Sequence, residues 1–376
     1  MPTETQSPSL MECFSELPDP RVERCRRHQL IDIVFIAVCA VICGAEAFTE
    51  MEEFGHSKEA WLRQFLELPN GIPSHDTFGR VLARLDPKEF EACFERWVRG
   101  VVQLSEGEVV GIDGQTLRRS YDRAAGRSAI EVVSAWARTT GLTWGQVKVA
   151  EDSNEITAVP ELLRVLDLTG CIVTVDALNT QKEIARQIRA QGTEYVLALK
   201  DNHPTLRQQV ADFLQAAQHG RTLNYQISTH QTVEKDHGRI ETRRYWQVEA
   251  PPHLHEFEQW PDLRSVGLVQ ATREVRDQTT VETRYYLSSL PVEAGRFSDA
   301  VRGHWAVENS CHWILDVVFR EDDSRVRRGH APENLALIRR WAHNLLAREP
   351  SVKRGIKTKR LKAALDDRYL LKILTL

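Results

Sequence analysis

At 376 residues the chain exceeds the ordinary domain size of about 100–200 residues, so two or three domains are expected. A hydrophobic share of 42% against 27% charged residues supports sizeable cores and excludes a chain disordered throughout. The net charge of −4 hides an asymmetry: from Ser324 to the end fourteen Lys and Arg stand against four Asp and Glu, so the tail is basic and the remainder acidic.

The longest apolar run, Leu30 to Cys43, is interrupted by Asp32 and is shorter than the roughly 20 residues of a bilayer span. Met1 to Leu10 lacks the basic start and apolar core of a secretory signal. A soluble, cytoplasmic protein with no membrane passage is the expectation. Seven cysteines without a CxxC pair read as buried free thiols rather than a disulfide framework or zinc ribbon.

The first hundred residues read as helices. Arg24 to Gly44 is a long apolar helical stretch, and Thr49 and Ser57 are candidate caps for the segments that follow. Ser74 precedes a helix at His75–Leu85. Asp86 with Pro87 and Glu89 forms an N-cap signature before Phe90–Val102. A packed bundle is favoured over a DNA-reading helix-turn-helix, because neither of these helices concentrates basic residues on one face.

Near Glu106 the pattern changes to strands: Glu108–Asp113, Ile130–Ala137 and Leu142–Ala150, rich in Val, Ile and Trp and separated by turn residues. A helix from Asn154 to Leu166, a strand at Cys171–Asp176, a helix at Gln181–Ala190 and a strand at Glu194–Lys200 imply parallel pairing with right-handed crossovers. Residues 201–280 read as a β-rich insertion, with strands at Gly238–Val248 and Arg264–Val275. The strand Thr283–Leu290, a helix at about Ser298–Leu315 and basic C-terminal helices follow. The predicted class is α/β: a mixed sheet flanked by helices, with an all-α N-terminal domain at 1–104, a core at 105–320 interrupted by the insertion, and a basic helical region at 321–376.

Asp113 lies in an otherwise apolar strand and Asp176 ends another. Buried carboxylates are costly unless paired or bound to a cation, although each Asp also fits a turn cap. His304, Glu308 and His312 recur every four residues on a predicted helix, so all three project from roughly one face of it. Three ligands stepping along one straight helix cannot converge on zinc, and the histidines read as packing beside Trp305 and Trp313. Oxygen donors from Asp113, Asp176 and Glu308 suit Mg²⁺ or Mn²⁺, and two such ions can activate a nucleophile on one side of a phosphodiester while stabilising the leaving oxygen on the other.

At this level of detail the chain resembles the DDE transposases of ISAs-type insertion sequences, which include the H-repeat-associated proteins. The likeness runs from about Leu10 to Glu349. It rests on FSELPDPRVER (Phe14–Arg24), LPNGIPSHDTFGRVLARLDP (Leu68–Pro87), IDGQTLRRS (Ile112–Ser120), SNEITAVPELL (Ser153–Leu163), VDALNTQ (Val175–Gln181), HGRIETRRY (His237–Tyr245) and HWAVENSCHWILDVVFREDDSR (His304–Arg325). The resemblance implies an acidic catalytic triad at Asp113, Asp176 and Glu308 holding two Mg²⁺, with Mn²⁺ as substitute, and an RNase H-like core. It implies cleavage at element ends and strand transfer into target DNA, with duplex terminal repeats and target as partners and a homo-oligomer on DNA.

Two features depart from the wider superfamily. Where relatives flank the glutamate with Tyr, Arg and Lys, this chain has Val301, His304 and Leu315, with Arg302 adjacent; His203 stands where Gln is expected. The candidate DNA contacts are Arg118, Arg119, Arg325, Arg327 and Arg328 beside the acids, Arg302, and Arg239, Arg243 and Arg244 in the insertion. Arg339 and Arg340 were expected to join the phosphate contacts as well. The alternatives are an RNase H-like nuclease that hydrolyses without joining, and a decayed or domesticated copy that binds DNA as a regulator.

Overall fold

The computed structural model describes residues 9–122, 126–150, 154–220, 224–236, 239–252, 255–276 and 278–375. His237 and Gly238 of the HGRIETRRY motif lie outside them. The helices in chain order are α1 (Leu10–Ser15), α2 (Leu30–Cys43), α3 (Phe48–Ser57), α4 (Glu59–Leu62), α5 (His75–Leu82), α6 (Pro87–Val101), α7 (Glu155–Val165), α8 (Lys182–Ala190), α9 (Pro204–Gln218), α10 (His255–Glu258), α11 (Ala294–Ala306), α12 (Trp313–Val317), α13 (Ala331–Arg348), α14 (Ile356–Leu365) and α15 (Asp367–Leu374). The strands are β1 (Val109–Leu117), β2 (Ile130–Ala137), β3 (Leu142–Lys148), β4 (Ile172–Val175), β5 (Glu194–Leu199), β6 (Ile227–Asp236), β7 (Arg239–Glu249), β8 (Ser265–Val275) and β9 (Gln278–Ser288). The chain forms two compact units, one of residues 1–103, 114–154 and 308–376, the other of residues 104–113 and 155–307.

The first unit is mainly helical, with the antiparallel β2–β3 hairpin. Several expected helix starts hold: Ser74 is the N-cap of α5, and the Asp86 side chain accepts from the Lys88 N–H at 2.9 Å to cap α6. Other ends differ. Residues near Arg24 make only a 3₁₀ turn, and α2 starts at Leu30. Helix α3 begins at Phe48 rather than after Thr49, because the Glu50 carboxylate reaches back to the Glu46 and Ala47 N–H groups; Ser57 closes that helix instead of opening the next.

An aromatic knot of Phe14, Phe94, Trp97 and Trp341 forms much of this unit's core, with Trp341 stacked 4.8 Å from Trp97 and edge-on to the two phenylalanines. Helix α2 is almost wholly buried. Among the described residues no single helix is long and apolar enough to cross a membrane. Cys13, Cys39, Cys93, Cys171 and Cys311 are buried free thiols as expected, whereas Cys43 is half-buried and Cys25 exposed.

Four of the tail's cations, Arg339, Arg340, Lys359 and Arg360, are turned inward. Lys359 donates to the Leu346 and Glu349 carbonyls at 2.8 and 2.6 Å, and Arg360 donates to the Val41 carbonyl at 2.9 Å, so both cations satisfy acceptors at or near helix C-termini. Arg339 and Arg340, expected to face phosphates, are instead buried and paired with the buried Glu321 at 3.6 and 3.2 Å.

The second unit is built on a mixed sheet. β1, β4 and β5 pair in parallel, as the alternation of strand and helix predicts. β9 then lies antiparallel on β5, and β8, β7 and β6 follow in antiparallel order. The segment read as an insertion thus also carries a helix, α9, and its strands extend the same sheet. Val109, Ile172, Val196, Tyr245, Val269, Tyr286 and Phe297 form one core cluster here. Helix α11 lies close on the sheet because Gly267 of β8 has no side chain; a Cβ there would stand 2.3 Å from the Phe297 ring.

Glu349 offers a test of the first unit's packing. Burial favours its neutral form, but bonds from Ser351, the Tyr369 hydroxyl and Lys372 outweigh that and hold the carboxyl at about 2, against 4.5 ordinarily. A depressed carboxyl adds stability that is complete above its unfolded value and is lost as pH falls through its folded one. Between pH 4.5 and 2 wild type should therefore lose on the order of 2 kcal/mol more than Glu349→Gln; urea titrations at several pH values should show the two curves converging in acid, and parallel curves would contradict the assignment.

Candidate active site

The second unit brings two of the predicted acids together. Parallel register pairs Ile112 with Val175, so Asp113 and Asp176 are the next residues on adjacent strands, at the carboxyl end of the β1–β4 pair. Neighbouring strands lie about 4.8 Å apart, and residues in register in a parallel pair face the same side of a sheet. The Asp176 carboxylate is oriented by its own loop: Oδ1 accepts from the Asn179 backbone N–H and from Asn179 Nδ2, both at 3.0 Å. The turn-capping role is thus real for Asp176. Asn179 also donates to Glu155 at 3.1 Å, which ties that loop to α7.

The loop after Asp176 is fixed from a second side. Asn202 Nδ2 donates to the Ala177 carbonyl, His203 Nε2 lies 2.7 Å from the Thr180 carbonyl, and the Thr180 hydroxyl donates to the Ala198 carbonyl at 2.6 Å. His203, standing where Gln is expected, thus makes a polar contact to the loop that carries the aspartate.

Helix α11 closes over these strand ends. A Cβ on Gly111 would lie 2.3 Å from Val307 Cγ2 and 3.6 Å from the His304 Cα, so the helix approaches the sheet through the space that a side chain would fill. The His304 ring lies 3.2 Å from the Thr174 hydroxyl of β4. Burial lowers its pKa to about 4, against the opposing pull of Asp176, and it is neutral at pH 7.

Glu308 is the next residue after Val307 and is exposed. It is the second residue of a π-helical segment, Val307–His312, which interrupts the single α-helix expected here. Consequently His304, Glu308 and His312 do not share one face: Glu308 is exposed while His312 is buried. Among the described residues no three His, Cys, Asp or Glu side chains are gathered closely enough to enclose a metal ion as they stand.

Residues 85–345 match the family described as Transposase DDE domain, and residues 11–98 match the one described as DDE_Tnp_1-associated. The chain belongs to the DDE transposase family. It is 40% identical over 372 residues to the H repeat-associated putative transposase YhhI of Escherichia coli K12, covering 97% of each chain. It is 39% identical over 370 residues to the putative transposase YncI of Escherichia coli O157:H7, covering 97% of this chain and 94% of that one.

The arginines expected at DNA occupy varied settings in this DDE family member. Arg118 and Arg119 pair with Asp322 and Asp323 at 3.1 and 3.3 Å, and Arg327 stacks on Tyr121. Arg239 stands 3.7 Å from Glu241, and Arg244 donates to Gln231 at 3.3 Å. Arg302 pairs with Glu234. Arg243 is buried between Glu234 and Glu241, and with Arg284 it stacks on Trp305. Arg325 and Arg328 are exposed. Sequence reasoning missed Asn179 and Gly111, although both stand within two or three residues of a singled-out aspartate.

Gly111→Ala should cost about 1–3 kcal/mol by forcing Val307 aside. Combining it with Val307→Ala should recover part of that loss relative to the sum of the single changes, as read in a double-mutant cycle by urea unfolding. Simple additivity would mean that the helix does not rest on Gly111.

Proposed function

We propose that this chain is an active transposase that cuts DNA at the ends of an insertion sequence and joins the exposed 3′-hydroxyls to target DNA, on an RNase H-like core. The observation that carries the proposal is the parallel register that makes Asp113 and Asp176 neighbours at the carboxyl end of the β1–β4 pairing. Paired carboxylates with oxygen-only donors fit a hard divalent cation, Mg²⁺ or Mn²⁺, and a neutral His304 adds no competing positive charge. Asp113 and Asp176 would hold the ions, with Glu308 as the third carboxylate. Bound there, the ions supply charge neutralisation at the attacking and leaving oxygens of an in-line displacement.

In the first step water adds its oxygen to phosphorus, the bond to the 3′ oxygen breaks, and a 3′-hydroxyl and a 5′-phosphate result. In the second step that hydroxyl attacks a target phosphodiester, so one such bond forms as another breaks. Asn179 acts as a positioning residue that keeps the Asp176 carboxylate turned by its two bonds to Oδ1. Arg325 and Arg328 are the predicted contacts whose guanidinium groups are best placed to meet phosphates, since the others pair, bond or stack within the protein. Joining two ends in concert calls for a homo-oligomer on DNA.

The test uses the full chain, Mg²⁺ and a duplex carrying the inverted repeats that border the gene. Wild type should nick these ends and join pre-cut ones. Asp113→Asn should bind the duplex as wild type does but lose about a hundredfold or more in both reactions. Undiminished nicking by the variant would refute the assignment; hydrolysis by wild type without joining would make the protein a nuclease, and binding without either reaction a regulator.

A further inference from the structure

The first unit contains a positively charged trough that its sequence did not announce. Helix α5 and the segment Arg325–His330 are about 240 residues apart in the chain yet are fastened together. Gly329 has φ +52°, and a Cβ there would lie 2.4 Å from the Ala83 carbonyl oxygen, so only glycine fits without displacement. The His330 N–H donates to that same carbonyl at 3.1 Å. Asn334 at the start of α13 is buried and donates to the Leu82 and Leu85 carbonyls at 2.8 and 2.9 Å. Acceptors left open at the C-terminal end of α5 are thereby satisfied by a segment from the far end of the chain.

The fastening sets four exposed arginines around two cavities that have Arg80 in common. Arg80 and Arg84 are four residues apart on and just beyond α5, while Arg325 and Arg328 come from the strap. A cavity of about 440 Å³ floored by Phe48, Gly79 and Ala331 separates Arg80 from the strap. A second cavity, of about 320 Å³ and lined by Arg21, Thr77 and Arg84, shares Arg80 with it. Among the described residues none of these four arginines makes an ion pair, whereas Arg63, Arg96, Arg118 and Arg119 on the same unit each hold a carboxylate. Asp76 is the one acid lining the two cavities. Guanidinium groups gathered by the backbone around these cavities and left without internal ion pairs match a ligand that presents successive oxyanions.

We propose that this trough seats the sugar–phosphate backbone of duplex DNA, and that α5 of the N-terminal region therefore holds DNA jointly with the strap before α13. Such contacts position the duplex without reading its bases. The choice of DNA over another polyanion rests on the transposase reading above.

Binding of the full chain to a fluorescent duplex of arbitrary sequence, followed by anisotropy in EDTA over a range of KCl concentrations, tests the proposal independently of cutting. The double variants Arg80→Gln/Arg84→Gln and Arg325→Gln/Arg328→Gln should each weaken binding about tenfold or more. Each should also flatten the dependence of log K on log salt by roughly 0.9 per lost phosphate contact. Unchanged affinity and slope would overturn it. Phenylglyoxal footprinting of wild type removes any dependence on folding of the variants: the duplex should protect Arg80, Arg84, Arg325 and Arg328. Protection by polyglutamate but not by duplex would assign the trough to an acidic protein and overturn the proposal. If Asp113→Asn kept its nicking while the trough variants lost binding, the chemistry would fail and the trough would stand.

Discussion

The seating of helix α11 on the sheet is the constraint on which the second unit's geometry depends. Two glycines make it possible: Gly267 receives the Phe297 ring near the start of the helix, and Gly111 receives Val307 at its end. A side chain at either position would lift the helix off the strands. With the helix down, His304 meets Thr174, and the chain enters the π-helical segment at Val307, one residue before Glu308. The same β1–β4 pairing that receives the helix sets Asp113 beside Asp176. Packing and the arrangement of carboxylates are therefore two consequences of one register.

Charge is distributed in this protein by a different rule from the one its composition suggests. The basic C-terminal region commits four of its cations to the interior: Lys359 and Arg360 satisfy carbonyls, and Arg339 and Arg340 share the buried Glu321. In the second unit Arg243, Arg284 and Trp305 form a stacked group bordered by Glu234 and Glu241. Cations tied to carbonyls or buried carboxylates are held by the fold. What matters for a polyanion is which guanidinium groups stay outside such pairs, and net charge does not report that.

The parallel β1, β4 and β5 were legible because uninterrupted apolar strands alternate with amphipathic helices, a pattern that local sequence carries. Asp113 and Asp176 were legible as charges out of place in such strands. Asp86 and Ser74 announced their helices because N-caps act within three residues. The sequence concealed whatever depended on distant partners. Nothing near Lys359 indicates that its ammonium ends against carbonyls at the end of α13, and nothing near Arg80 indicates a strap from Arg325–His330. The π-helical segment also escaped notice, since a spacing of four residues fits an α-helix equally well. Strand β6 lacked the apolar alternation that marks a strand.

The central claim is that Asp113 and Asp176 together bind a divalent cation. Electron paramagnetic resonance of Mn²⁺ titrated into the full chain measures this without DNA or turnover. Wild type should sequester Mn²⁺, and Asp113→Asn/Asp176→Asn should release it while keeping the wild-type circular dichroism spectrum. Equal Mn²⁺ binding by the two proteins would contradict the account.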